Sequence, residues 1–318
     1  MTEHNHNQGH YHHEHDEDEE EHEHVSDEER IENHVKAGKA ARAALDYAKS
    51  QARVGMKLID LAKLAEDKIR ELGVEIAFPA NLSTDNEAAH YTPRFNDERV
   101  IGEKSVLKID IGTHVNGFIA DCAVTVDFSG ENGKLLEASS EALNSALATV
   151  KAGVNVREIG RVIEGEIKKR GFKPVENLSG HSLDQYAIHA GITLPNYESG
   201  NYVLEEGDSF AIEPFASTGL GRIHEDHSFE EIYGVSVLGN VRSPGARKLL
   251  ESIFLEYKTL PFAKRWLKQD AMLGFQIREL KNAGILDFYP LLTEAKGVLI
   301  SQHETSVIVE KDGCKILV

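Results

Sequence analysis

Cysteine is scarce: Cys122 and Cys314 are the only two, which excludes a disulfide framework and makes a reducing cytoplasm the expected compartment. Long apolar runs are missing too. None approaches the roughly 18–20 residues that span a bilayer, so no membrane partner is expected. The first residues lack the basic and then apolar stretches of a secretory signal. A basic stripe is also absent. Residues 1–29 hold twelve Asp or Glu and no Lys or Arg, and the remainder carries 35 basic against 41 acidic residues. With nothing to neutralise a row of phosphates, nucleic acid is excluded as a partner.

What is present begins with histidine. Eight of the sixteen lie in the first twenty-four residues: His4, His6, His10, His12, His13, His15, His22 and His24. This acidic, low-complexity stretch (1–25) reads as a disordered tail. Its composition suits solubilisation first and weak capture of Zn, Ni or Co second. An ordered domain (26–318) should follow. Ser26-Asp27-Glu28-Glu29 reads as a capping box opening a helix that runs to about Ala52, with Ile31, Val35, Ala41 and Leu45 buried. A second helix is expected from Leu58 to about Leu72, closed by Gly73.

Residues 54–73 (VGMKLIDLAKLAEDKIRELG) align without gaps on 152–171 (AGVNVREIGRVIEGEIKKRG), matching at Gly55/Gly153, Glu66/Glu164, Ile69/Ile167 and Gly73/Gly171. The spacing is that of amphipathic helices in general, or of a duplicated α/β half-domain with an active site between its halves. Between the copies the pattern predicts an irregular stretch (79–103) and a β-hairpin. Beyond them come a His-rich loop region (176–200), a strand around Ser209–Glu213 and a charged, Gly-rich loop (216–231). A strand pair around Ile232–Val241, a helical stretch from 243 to 294 and a last strand pair (297–309 and 314–318) complete the expectation.

The hairpin, KIDIGTHVNGFIADCAVTVDF, carries the chemistry. Asn116-Gly117 between β-branched runs is a strong two-residue turn signal. Val115 then pairs with Phe118 and Gly112 with Asp121, so Asp110 and Asp121 become diagonal neighbours on one face, roughly 7–8 Å apart. Two such carboxylates repel each other unless a cation or a proton lies between them; otherwise they are acids on a solvated face. Three further groups stand beside apolar segments: His181 in NLSGHSLDQYAIHAG, Glu213 in DSFAIEPFAS and Glu304 in GVLISQHETSVIVE. Each alone is a weak signal.

Together with AAHYTPRFND (88–97), SGHSLDQYAIHAG (179–191), FAIEPFASTGLG (210–221) and SQHET (301–305), these residues resemble the methionine aminopeptidases of the pita-bread metallopeptidase family. The likeness is to their type 2, archaeal-like branch and covers roughly residues 30–318. It implies an α+β pita-bread fold: a curved antiparallel sheet with pseudo-twofold halves and a type 2 helical insertion, here 243–294. It implies removal of the N-terminal methionine from nascent proteins through two divalent ions (Co, Mn, Fe(II) or Zn). Asp110 would bind one metal, Asp121 and Glu304 would bridge both, and His181 and Glu213 would complete the second site. His90 and His189 would face the substrate, and Phe78, Pro79, Ile188, Phe215 and Tyr289 would line the methionine pocket. The implied partner is the N-terminal peptide of newly made chains near the ribosome, met by a cytoplasmic monomer.

One departure stands out. The family carries Glu-His-Thr where this chain reads Gln302-His303-Glu304-Thr305. His303 is not a ready substitute, because adjacent strand residues face opposite ways. His224 has no counterpart and stays outside the site. Two rivals remain: a binding protein that has lost its ligands, against which all five positions argue, and a proline-specific peptidase, which usually carries a large additional N-terminal domain.

Overall fold

The computed structural model describes residues 25–318; the His-rich tail lies outside the described residues. Helices α1 (Asp27–Gln51) and α2 (Leu58–Glu71) precede strands β1 (Glu75–Thr84) and β2 (Glu87–Ala89) and the hairpin β3 (Val106–Val115) and β4 (Phe118–Asp127). Helices α3 (Gly133–Leu147) and α4 (Val156–Lys169) lead into β5 (Lys173–Pro174), β6 (Ser179–Ser182), β7 (Thr193–Pro195) and β8 (Ser209–Ile212). Next come β9 (Phe215–Ser217), β10 (His224–Asp226), β11 (Ile232–Val235), α5 (Pro244–Tyr257), β12 (Phe262–Ala263) and α6 (Leu273–Asn282). The chain closes with β13 (Leu286–Tyr289), β14 (Leu291–Thr293), β15 (Ile300–Gln302), β16 (Glu304–Glu310) and β17 (Gly313–Ile316).

An eight-stranded antiparallel sheet in the order β1-β3-β4-β16-β8-β6-β7, with β17 beside β16, is the scaffold. Two apolar cores lie against it. One joins α1 and α2 to β1, β3 and β4; the other joins α3 and α4 to β8 and β16. The aligned segments make matching hydrogen bonds. Gly55 N–H donates to the Ile101 carbonyl and Gly153 N–H to that of Leu204, both at 2.8 Å. Leu58 N–H donates to Arg99 and Val156 N–H to Tyr202, both at 2.9 Å. All four matched glycine positions have φ between 76° and 87°, conformations that glycine adopts without strain.

Several expectations are corrected. Strand β1 occupies the start of the stretch expected to be irregular. Pro79 hid it, and the structure accommodates Pro79 with register shifts between Ile76 and Asn81, since proline is tolerated at bulges. Helix α3, built on Leu135 and small residues, was not anticipated. Strands β6 and β7 lie within the expected loop at 176–200. Strand β11 stops at Val235 and pairs with β12 and β13 rather than with the residues after it. Residues 243–294 hold α5, which Ser243 caps, and α6, but also three short strands. The last long strand is split at His303.

On α1 Ser26 accepts from Glu29 N–H as expected, yet Ile31 and Val35 are only partly buried. Asn33, His34, Ala37 and Gly38 take the buried face instead. A Cβ on Gly38 would lie 2.1 Å from the Leu317 carbonyl oxygen, so the helix can approach only through its smallest side chains.

Candidate metal centre

The hairpin forms in the expected register, with Val115 opposite Phe118 and Gly112 opposite Asp121. Asn116 and Gly117 have φ of 51° and 84°, the two positive values of the turn that matches strand twist. Asp110 and Asp121 are 9% and 4% exposed, which removes the solvated-face alternative. Gly112 between them has no Cβ because the Phe78 ring occupies that space. Ser306 fixes the Asp121 backbone, accepting from its N–H at 2.7 Å and donating to its carbonyl at 2.9 Å.

Three other elements bring their groups to the same point. Strand β16 pairs Glu304 with Ala123, β6 pairs His181 with Ala211, and Glu213 follows the last residue of β8. Donor atoms of Asp121, His181 and Glu304 lie within 4.8 Å of one another. His181 Nε2 is 3.8 Å from Asp121 Oδ2 and 3.5 Å from Glu213 Oε1. Gln302 Nε2 donates to Glu304 at 3.1 Å and to Glu213 at 3.3 Å. Asp110 stands outside the tightest group but lines the same cavity.

The electrostatics favour positive charge among these groups. Burial pushes the Asp110 carboxyl up to about 7, partly offset by the Gln302 amide. Burial, then mutual repulsion, holds Asp121, Glu213 and Glu304 well above the carboxylate range. Burial drives His181 down to about 3, so its ring is neutral. Oδ1 of Asp110, Oδ1 of Asp121, Oε1 of Glu304 and Nδ1 of His181 are buried without a hydrogen-bond partner. Buried polar atoms are normally satisfied, so oxygens orphaned together beside a neutral imidazole fit a divalent cation and its oxygen-rich coordination.

This arrangement carries a pH prediction. A carboxyl whose folded pKa is raised stabilises the metal-free protein below its unfolded pKa, near 4, and loses that contribution as pH rises through the folded value. For Asp110 that loss falls between about 4 and about 7. Bound cations select the deprotonated form and release the protons. The thermal shift produced by a saturating divalent cation should therefore be small at pH 5 and large at pH 7.5. Equal shifts at both values in differential scanning fluorimetry would contradict it.

Beside the acids, Phe78, Ile188, Ile232, Pro261 and Tyr289 line an apolar wall of the cavity, with Asn81, Ala89, His90 and His189 on its remaining sides. His90 has φ 67°, and its Nδ1 lies 3.0 Å from the Pro290 carbonyl oxygen. A carbonyl only accepts, so Nδ1 carries the proton and Nε2 is left as an acceptor. Burial and then the neighbouring His189 lower its pKa to about 4. The His189 ring is 4.5 Å from that of His181 and 6.0 Å from that of Tyr289.

Pro79 and Phe215 do not line the cavity. Phe215, on β9, packs with Ala88, Val175 and Ile300 behind it, and Pro79 follows Phe78 on the strand and is buried away from the opening. His303 turns to α3, its Nδ1 2.8 Å from Ser139 Oγ, which agrees with strand alternation. His224 is exposed on β10. Asn81, Ile232, Pro261 and Gln302 were missed. For Gln302 a signal existed, since it stands two residues before Glu304.

A curled antiparallel sheet gathering acids and an imidazole above an apolar cleft is a metallopeptidase arrangement, and the chain belongs to metallopeptidase family M24, whose model matches residues 32–244. Within that family it falls among the methionine aminopeptidases. It is 46% identical to the methionine aminopeptidase of Pyrococcus horikoshii over 291 residues, covering 90% of this chain and 98% of that one. The crystal structure of the Thermotoga maritima methionine aminopeptidase superposes with a TM-score of 0.66 at 21% identity, over 91% of this chain and 96% of that one. A thermophilic Arx1 superposes with a TM-score of 0.81 at 16% identity, over 91% and 90%. These two likenesses concern the fold alone.

Proposed function

We propose that this chain removes the N-terminal methionine from newly made polypeptides with two divalent cations held by Asp110, Asp121, His181, Glu213 and Glu304. The observation that carries the reading is the group of orphaned buried donors opening directly onto an apolar cleft. Divalent cations bound there supply Lewis acidity and water activated at neutral pH. The residues do the rest. Phe78, Ile188 and Tyr289 take up the thioether side chain, an apolar and polarizable group that asks for no buried charge. His90 offers the free Nε2 as an acceptor for the substrate α-amine. His189, neutral because burial lowers its pKa, faces the scissile carbonyl and stabilises the charge that develops on its oxygen.

The matched hydrogen bonds of α2 and α4 support a duplicated origin for the two halves, with the site on the strands where they meet. Residues 243–294 are read as the type 2 insertion within a catalytic domain spanning 26–318. Helices α5 and α6 build a core of their own with β11 and β13, and this stretch lends Pro261 and Tyr289 to the cleft. The same reading takes Co, Mn, Fe(II) or Zn as the ions and a cytoplasmic monomer working near the ribosome. No helix among the described residues is long and apolar enough to cross a membrane.

The deciding experiment gives metal-free protein Met-Ala-Ser and Met-Val peptides with each divalent ion in turn. Free methionine is expected. No release with any ion would refute the reading, and preferential release of residues that precede proline would favour a proline-specific peptidase.

A further inference from the structure

Lys108 lies on β3, two positions before Asp110, and is 0% exposed. Lysine is almost never fully buried unless its donors are used, because the desolvation cost is steep. Its partners are two backbone carbonyls, not a carboxylate: Nζ donates to Ile300 at 2.9 Å and to Asp85 at 3.3 Å. Asp85 forms the turn between β1 and β2 in a left-handed conformation, φ 53°. Its carbonyl also accepts from Ile300 N–H at 3.0 Å, and its Oδ1 accepts from Val106 N–H at 2.9 Å. The ammonium therefore stands where the β1–β2 turn, the start of β3 and β15 converge.

That junction matters because β15 is not a strand of the large sheet; its ladder partner is β9. Side chains attach it to the hairpin instead. Lys108 holds the Ile300 carbonyl, and its cross-strand neighbour Thr125 holds both sides of Gln302. Thr125 Oγ1 donates to the Gln302 carbonyl at 2.7 Å and accepts from its N–H at 2.8 Å. Gln302 in turn donates to Glu213 and Glu304. On the other side, the turn held through Asp85 runs through β2 to His90.

We propose that Lys108 is a positioning residue for the metal centre: with Thr125 it clamps β15 and the β1–β2 turn onto the hairpin that carries Asp110 and Asp121, and so holds Gln302, Glu213 and Glu304 against those aspartates. The inference rests on the metal-centre reading.

Two variants test it through divalent affinity, read by calorimetric titration of Mn(II) into metal-free protein rather than by turnover. Lys108→Met keeps the stem and loses the donors. Outer groups that orient ligands are typically worth about 10–100-fold in affinity, and a loss in that range is expected. Lys108→Ala opens a void beside two carbonyls. Ammonium chloride should restore its affinity toward wild type, tetramethylammonium chloride at equal ionic strength should not, and wild type should respond to neither. A merely structural lysine predicts lower thermal stability with unchanged Mn(II) affinity and no specific response to ammonium. Wild-type affinity in Lys108→Met, or an alanine variant indifferent to ammonium, overturns the clamp. A wild-type protein that binds no Mn(II), Co(II), Fe(II) or Zn(II) overturns the metal-centre reading instead.

Discussion

Asp121→Asn should abolish turnover and divalent binding while leaving a metal-free protein that melts higher than metal-free wild type at pH 7.5. The two effects share one cause. Asp121 is one of two acids in the tightest donor group, with Glu304 and beside His181, and its carboxyl also pushes up those of Glu213 and Glu304. An amide of the same shape cannot be ionised, so the variant no longer bears the cost of burying a carboxyl whose folded pKa is raised by burial and by Asp110. The Ser306 bonds go to the backbone and survive the change. Divalent cations held by these residues would supply water activated near neutral pH, so losing them should bring methionine release below about one thousandth of wild type. Peptide assay, Mn(II) titration and thermal melting of the metal-free forms check the three parts. Full activity in the variant would refute a bridging role for Asp121.

His189→Ala should lower kcat/KM by about 10²–10³-fold, the usual cost of deleting one group that stabilises a developing oxyanion, with Mn(II) affinity within a few-fold of wild type. The ring lines the cleft and meets the His181 ring edge-on, and it is not part of the tightest donor group. Its pKa is lowered by burial, so on the proposed reading it would act as a neutral ring, by orientation and hydrogen bonding rather than by fixed charge. Steady-state kinetics run beside metal titration separate the roles. Parallel loss of affinity and activity would move His189 into the metal's coordination sphere.

Local signals carried far where the structure they describe is local. Ser26 capping, the Leu58 helix closed at Gly73 and the hairpin register from Asn116-Gly117 all follow from capping, periodicity and turn chemistry. Each is decided within about ten residues of chain. They failed where the outcome depends on a distant partner. Nothing in Glu75–Thr84 announces a strand once Pro79 interrupts it, because the bulge that accommodates the proline is defined against β3. Strand β11 finds β12 and β13 beyond helix α5, although an adjacent partner was the local expectation. Phe215 and Phe78 are both buried aromatics, and only packing separates the one behind the cleft from the one that lines it.

The same division runs through the site. Local pattern by itself put Asp110 and Asp121 side by side on one face, and the motifs named His181, Glu213 and Glu304 as their companions. It left open whether that face meets water or other carboxylates. Tertiary structure decided this, because burial and mutual repulsion arise only when four strands converge. It also assigned roles that no motif did: Gln302 ties two acids together, Asn81 and Ile232 stand in the cleft wall, and the Lys108 ammonium sits between carbonyls more than two hundred residues apart in sequence. Alternation along a strand says which side chains share a face; only the closed sheet says what that face meets.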